Sequence, residues 1–301
     1  MNFKGKRILV TGGSGFIGIN LIKKLKELGA QIENFDLLLG FDIQNEKQLE
    51  STAKKKFEII YHLAGFSGSS QSNLSGSKCF KINTLATANL LEFLAKYSPL
   101  TKLIISSSRL EYGKPVYLPV NEDHPTNPTS FYGLSRLLAT QMALNYHRSN
   151  KLDVVIFRTS NVYGPHTASK FGGYNIINHF IDLAKEDKTL TIYGQGEQQR
   201  DYLYIDDLIE AFLLTLTPRS SGQIYNLGYG TGIKFKDMAK LIIKIVGRGN
   251  LKFIKWPKDY QEVETGSYIT DITKIKKELG FVPKVDFEEG IRKTLKLEMR
   301  N

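Results

Sequence analysis

Gly12, Gly15 and Gly18 recur at every third position in Thr11-Gly12-Gly13-Ser14-Gly15-Phe16-Ile17-Gly18. They follow a β-branched run at residues 6–11 and open a segment whose apolar residues, Phe16, Ile17, Ile19, Leu21, Ile22, Leu25 and Leu28, fall at helical spacing. A strand that turns through glycine straight into a helix can bind a pyrophosphate. The first glycine permits the tight turn, the second lets backbone approach the phosphates, and the third lets helix and sheet pack closely. The free N–H groups at the helix start, those of Phe16 and Ile17 among them, and the positive end of its dipole then hold the anion. Asp36 ends the next strand-like run, at residues 31–35. A carboxylate there accepts hydrogen bonds from a ribose 2′-hydroxyl and repels a 2′-phosphate. Leu37 and Leu38 follow, with no arginine to receive such a phosphate, so NAD is favoured over NADP.

A second pair of residues suits proton transfer. Tyr132 and Arg136 are four positions apart in Phe131-Tyr132-Gly133-Leu134-Ser135-Arg136, one helical turn, so their side chains face the same way. Asn127-Pro128-Thr129-Ser130 supplies a turn and an N-cap just before them. A free phenol titrates at about pH 10 and is a poor base at neutral pH. A fixed cation one turn away favours the phenolate. The competing readings are a helix tyrosine with no chemical role and a surface arginine.

These residues need a frame. Strand-like runs recur at 57–63, 103–107 and 154–158, with helical patterns between them near 78–97 and 131–149. Strand and helix in strict turn argue for a Rossmann-type doubly wound parallel sheet covered on both faces, over residues 1–165. Beyond that point Pro165, Gly172, Gly173, Gly194 and Gly196 break up the pattern. Helices fit near 174–186, 206–216, 234–247, 271–279 and 287–298. Residues 166–301 read as a smaller C-terminal α/β substrate-binding lobe, interwoven with the first and closing over the carboxyl edge of the sheet.

Composition narrows the partners. The 301 residues are 41% hydrophobic and 24% charged, as in a soluble globular protein. A formal charge of +11 would suit nucleic acid or a membrane surface, but the basic residues are dispersed and the densest run is only Lys54-Lys55-Lys56. No nucleic acid is expected, while the positive field suits a phosphorylated small molecule. Cys79 is the single cysteine, so no intrachain disulfide forms. The five histidines are scattered without metal-ligand spacing, and no metal is expected. The chain passes from Met1 directly into a strand pattern, leaving no room for a signal peptide, and no apolar stretch is long enough to span a membrane. A cytoplasmic protein is the expectation.

The glycine turn, with further blocks in order along nearly the whole chain, resembles the extended short-chain dehydrogenase/reductase superfamily. Phe41-Asp42-Ile43 is similar to its adenine-contacting element, and His62-Leu63-Ala64-Gly65 to the strand end beneath the cofactor. Asn83 matches the family's structural asparagine, expected beside the cofactor. The segment from Phe157 to Pro165 resembles the one that reaches nicotinamide and sugar. Gln199-Arg200-Asp201-Tyr202-Leu203-Tyr204-Ile205-Asp206-Asp207 resembles the RDFxxVxD block of the nucleotide-sugar members. Within the superfamily the nucleotide-sugar epimerases and dehydratases fit best, with 4-epimerase the nearest.

Ser106-Ser107-Ser108, followed by Tyr112-Gly113, is similar to the epimerase pattern SSSxxxYG, which implies Ser108 as catalytic serine and sets Ser106 beside the cofactor. The 4,6-dehydratases carry an Asp-Glu pair just after that serine, where this chain has Arg109-Leu110. With no carboxylic acid beside the sugar, dehydration is not expected.

The resemblance implies a mechanism. Tyr132 takes the proton of a hexose 4-hydroxyl held by Ser108, hydride passes from C4 to NAD and then returns to the other face, and Arg136 stabilises the phenolate and holds the cofactor. The family has Tyr-x-x-x-Lys here. Arginine keeps the charge, but its planar fork is wider and cannot relay a proton. Asn161 would hydrogen-bond the sugar nucleotide, or brace its loop. Arg200 would pair with a diphosphate oxygen, or with a neighbouring carboxylate. A nucleotide-sugar 4-ketoreductase and a silent NAD-binding scaffold remain alternatives to the epimerase. Family members dimerise through helices that fall here near 84–97 and 131–148. The apolar Leu90, Leu94, Leu137, Leu138 and Leu144 fit such a homodimer, and plain core packing equally.

Overall fold

Short strands rich in Ile, Leu and Val must bury both faces, and the computed structural model, which describes residues 2–66, 75–150, 152–165 and 175–298, shows how they do so. Strands β1 (Arg7–Thr11), β2 (Gln31–Phe35), β3 (Ile59–His62), β4 (Lys102–Ser108) and β5 (Asp153–Thr159) join Gln223–Leu227 in one six-stranded sheet. The order is β2-β1-β3-β4-β5 and then Gln223–Leu227, all neighbours being parallel. Side chains alternate across the sheet. Ile8, Val10, Ile59, Tyr61, Ile104, Val155 and Phe157 enter one buried layer, and Leu9, Ile60, Leu103, Ile105, Val154 and Ile156 the other.

Helices cover both layers. Helix α1 (Phe16–Glu27) buries Leu21 and Leu25 on the first face, beside Leu208 and Phe212 of the helix Ile205–Leu213. On the second face lie α2 (Glu46–Ala53), α3 (Gly76–Phe80), α4 (Ala86–Tyr97) and α5 (Phe131–Asn150). The helix expected over 78–97 is interrupted by a π-helical turn at Lys81–Leu85. The expectation for 131–149 matches α5 closely. Helix α2 lies outside the sequence reading.

Chain direction places the site. The carboxyl ends are in register, with Thr11 opposite both Phe35 and His62, and Ser108 opposite Thr159. The winding reverses between β1 and β3, and a crevice opens above that switch point. The later residues roof it. Asn161–Tyr163, Gln199–Tyr204 and Gly232–Lys234 form a three-stranded sheet, and Thr189–Tyr193 pairs in parallel with Asn250–Ile254. The five helices expected in this half are present, at Ile176–Lys185, Ile205–Leu213, Phe235–Val246, Thr273–Leu279 and Phe287–Glu298. Gly172 and Gly173 lie outside the described residues. No helix among the described residues is long and apolar enough to cross a membrane.

Candidate active site

The phosphate turn is built by close approach. Gly12 has φ +72°, and a Cβ there would stand 2.7 Å from the Ala64 backbone nitrogen. A Cβ at Gly18 would stand 2.5 Å from the Gly12 carbonyl oxygen, so helix and turn touch backbone to backbone. At Gly15 a Cβ would meet only the Gly12 carbonyl, at 3.3 Å, and its open side faces the cleft. Gly15 is also the N-cap of α1, with no side chain capping the helix and no acidic residue in the first turn. The donors at that end are therefore left for an anion. Beside the turn Asp36 is fixed at both carboxylate oxygens, by the Leu38 N–H at 2.9 Å and the Ser14 N–H at 3.0 Å.

Every residue expected at the site except Asn83 lines this one cleft, of about 1200 Å³, above the carboxyl edge of the sheet. Asn83 stands one layer behind. It is fully buried; its amide oxygen accepts from the Phe66 N–H at 2.8 Å, and its amide nitrogen donates to the Phe66 carbonyl at 3.0 Å and the Ser135 hydroxyl at 3.0 Å. Its role is to brace the loop that leaves β3 against α5.

A chain of hydroxyls holds the end of β3 in the same way. Thr87 donates to the Asn83 carbonyl at 2.7 Å, so its oxygen accepts from His62 Nε2 at 2.9 Å. The other ring nitrogen, Nδ1, is left to accept from Thr11 Oγ1 at 2.8 Å, and Thr11 in turn accepts the Ala64 N–H at 3.2 Å. Both ring nitrogens are used by a neutral imidazole. Burial, and then the charge of Arg136, push the His62 pKa down to about 3.

Arg136 carries the charge that His62 declines. Its guanidinium packs against Gly65, lies 5.5 Å from the Tyr132 ring centroid, and donates from Nη1 to the Ser106 carbonyl at 3.4 Å. The residue is 6% exposed, and its Nε is buried with no partner among the described residues. Among the described residues no carboxylate pairs with it. A buried cation with an orphaned donor fits a bound group that brings oxygens, such as the ribose hydroxyls of a dinucleotide. Tyr132 stands half-buried in the same wall.

The serines are sorted by their partners. Ser107 also lines the cleft, but its hydroxyl is engaged by a hydrogen bond to Glu111. Ser108 accepts the Leu110 N–H at 3.2 Å, which leaves its own O–H to donate into the cleft. Glu111 belongs to a buried network that the sequence reading missed. It is fully buried, accepts from Thr140 Oγ1 at 2.7 Å, and pairs with Arg158 Nε at 2.8 Å. Arg158 donates onward to the Tyr112 hydroxyl at 2.9 Å, which donates to Asn226 at 2.7 Å. A signal was present, since an arginine near the end of an apolar strand buried on both faces must find an acid.

Toward the roof, Asn161 donates its amide N–H to the Asp201 carbonyl at 3.0 Å, which is the bracing role. Arg200 pairs with Glu264 and donates to the carbonyls of Gly266 and of Gln199, the latter at 3.0 Å. Both still line the cleft. Arg109, in the turn Arg109–Glu111 after Ser108, also enters it. Among the described residues no group of three His, Cys, Asp or Glu side chains could hold a metal ion.

A glycine turn opening a helix, a carboxylate at the end of the next strand and a wall of serine, tyrosine and cation share one cleft, as a short-chain dinucleotide site requires. Residues 8–228 match the model of the NAD dependent epimerase/dehydratase family, and the chain belongs to that family. NAD is its cofactor. Among relatives, a protein of Methanocaldococcus jannaschii named "Putative UDP-glucose 4-epimerase" is 32% identical over 96% of this chain and 97% of its own length. A dTDP-D-glucose 4,6-dehydratase of Mus musculus is 30% identical over 98% of this chain and 89% of its own. Two solved structures share the fold. The UDP-glucose 4-epimerase of Thermotoga maritima with UDP-glucose has a TM-score of 0.89 at 29% identity, over 98% of this chain and 99% of that one. The UDP-glucose 4-epimerase of Thermus thermophilus in complex with NAD has a TM-score of 0.87 at 26% identity, over 96% of this chain and 98% of that one.

Proposed function

We propose that the protein is an NAD-dependent 4-epimerase of a nucleotide-diphosphate hexose. One observation carries the reading. Ser108, with an O–H free to donate, and Tyr132, with a buried and uncompensated Arg136 against its ring, line one cleft with the phosphate turn. Relatives and structural neighbours named as UDP-glucose 4-epimerases support it.

The residues divide the work. Gly12, Gly15 and the start of α1 hold the cofactor's pyrophosphate, and Asp36 its adenosine ribose. Asp42 and Ile43 line the adenine end, and Leu63, Ala64 and Gly65 form the floor. NAD, when bound, supplies a hydride acceptor that can give the hydride back. Ser108 donates a hydrogen bond to the sugar 4-oxygen, and Tyr132 receives that hydroxyl's proton and later returns it. Arg136 stabilises the phenolate by charge. Arg109 and Leu110 stand where a dehydratase would keep acids, so this chain has no group there to expel water. Residues 1–165 would carry the cofactor and 166–301 most of the sugar nucleotide, within a cytoplasmic homodimer. Leu90 and Leu94 are buried in the core, so a dimer face on α4, the π-helical turn before it and α5 would use Leu85, Phe131 and Leu138, which are exposed.

The test is incubation of the NAD-loaded protein with UDP-glucose, UDP-galactose and dTDP-glucose, followed by proton NMR. The expected outcome is a C4 epimer with no net change in cofactor oxidation state. A 4-keto-6-deoxy product would overturn the reading. So would net oxidation of NADH with a keto sugar, which is the ketoreductase alternative. Tight NAD binding without turnover would mark a scaffold.

A further inference from the structure

We propose that Arg109 reads a carboxylate on the sugar, and that the preferred substrate is a nucleoside-diphosphate hexuronate. The inference rests on the nucleotide-sugar reading above and narrows it. Arg109 is 8% exposed, with its guanidinium stacked over the Tyr268 ring at 5.1 Å from the centroid. Among the described residues its guanidinium makes one hydrogen bond, from Nη1 to Thr265 Oγ1 at 3.2 Å. Among the described residues no carboxylate pairs with it. Burial and then the charge of Arg200 push its pKa down to about 10, so it stays a cation at neutral pH.

The nearby acid is taken. Glu264 pairs with Arg200 and accepts the Gly266 N–H at 2.9 Å. Arg200 is thereby locked to protein groups, whereas Arg109 feels Glu264 only through its field and, among the described residues, has no carboxylate hydrogen-bonded to it. A buried, planar donor fork with free N–H groups is matched by a carboxylate that accepts two parallel hydrogen bonds. A neutral hydroxymethyl group would leave the charge unpaired, which is unfavourable in a buried site.

Position favours the sugar over the diphosphate. Arg109 is the next residue after Ser108, whose hydroxyl is assigned to the sugar 4-oxygen, and both line the cleft. In a hexopyranose the C6 group is borne by C5, the immediate neighbour of C4. The diphosphate is attached at C1, across the ring.

Calorimetric titration of the NAD-saturated protein with UDP, UDP-glucose and UDP-glucuronic acid tests this, on the native chain and on Arg109→Gln. The native protein is expected to bind UDP-glucuronic acid about tenfold or more tightly than UDP-glucose. Arg109→Gln is expected to bring that ratio down to about one, and Arg109→Lys to recover part of it. Equal native affinities for the two sugars overturn the inference while leaving the nucleotide-sugar reading intact. A variant that weakens all three ligands by one factor puts the guanidinium on the diphosphate and also overturns it. If none of the three binds, the inference and the reading beneath it fall together. Should Arg109→Gln not fold, the native ratio alone decides.

Discussion

Arg136 fills the position where the resemblance leads one to expect lysine, and the structure shows what the exchange does locally. The wider guanidinium wedges against Gly65 and reaches the Ser106 carbonyl, with Nε left unpartnered. An ammonium in its place would keep the charge beside Tyr132 and remove the orphaned donor. Arg136→Lys is therefore expected to turn over at least as fast as the native protein, with NAD affinity within about threefold by calorimetry. Complete loss of turnover in the lysine form would contradict this, and would mean that the site is tuned to the fork. At this scale the sequence was most legible where chemistry is local. The glycine turn, Asp36 and the Tyr132–Arg136 pair each lie within one short segment or two neighbouring ones. Arg200 was not legible in that way, because Glu264, which pairs with it, is 64 positions distant. The hydrogen bonds of Asn83 to Phe66 were not legible either, since only the fold brings the loop after β3 against it.

Elements hold these residues still, and two buried polar systems do most of that work. His62 locks the end of β3 as a neutral ring, which ties stability to pH. Its pKa in the folded protein, about 3, lies below the ordinary histidine value of 6.5. Below about pH 6.5 the unfolded chain takes up a proton that the native ring refuses, so this contribution is complete above that pH and is lost as pH falls toward 3. Between about pH 7 and pH 5 the loss is on the order of 2 kcal/mol. Urea unfolding of His62→Asn is expected to show that much less loss over the same interval than the native protein. Parallel slopes would contradict it. The second system is Glu111 with Arg158. Removing the acid strands a buried guanidinium, so Glu111→Ala is expected to cost about 3 to 5 kcal/mol by denaturant unfolding. A cost below about 1 kcal/mol would show that the pair does not hold the turn after Ser108.

The legibility of elements followed their burial. Strands covered on both faces read as unbroken apolar runs. Helix α2 did not read, because EKQLESTA buries only Leu49, Thr52 and Ala53. The strand Gln223–Leu227 was missed because its QIYNL sequence mixes polar with apolar residues at the edge of the sheet.

The whole molecule joins a dinucleotide half and a roof that the chain does not keep apart. Residues 205–213 and 223–227, beyond the expected boundary, return to pack on α1 and to complete the six-stranded sheet. A cleft roofed by the second half and floored by the first can shield a sugar while its oxidation state changes and is restored. That is the central claim, and isotope retention tests it most directly. A nucleotide hexose or hexuronate deuterated at C4 would be equilibrated with the NAD-loaded protein in ordinary water and both epimers examined by NMR. The account expects deuterium to remain at C4 in each epimer, because the hydrogen that leaves this carbon returns to it from within the site. Epimerisation with loss of the label to water, or no epimerisation of any such substrate, would contradict it.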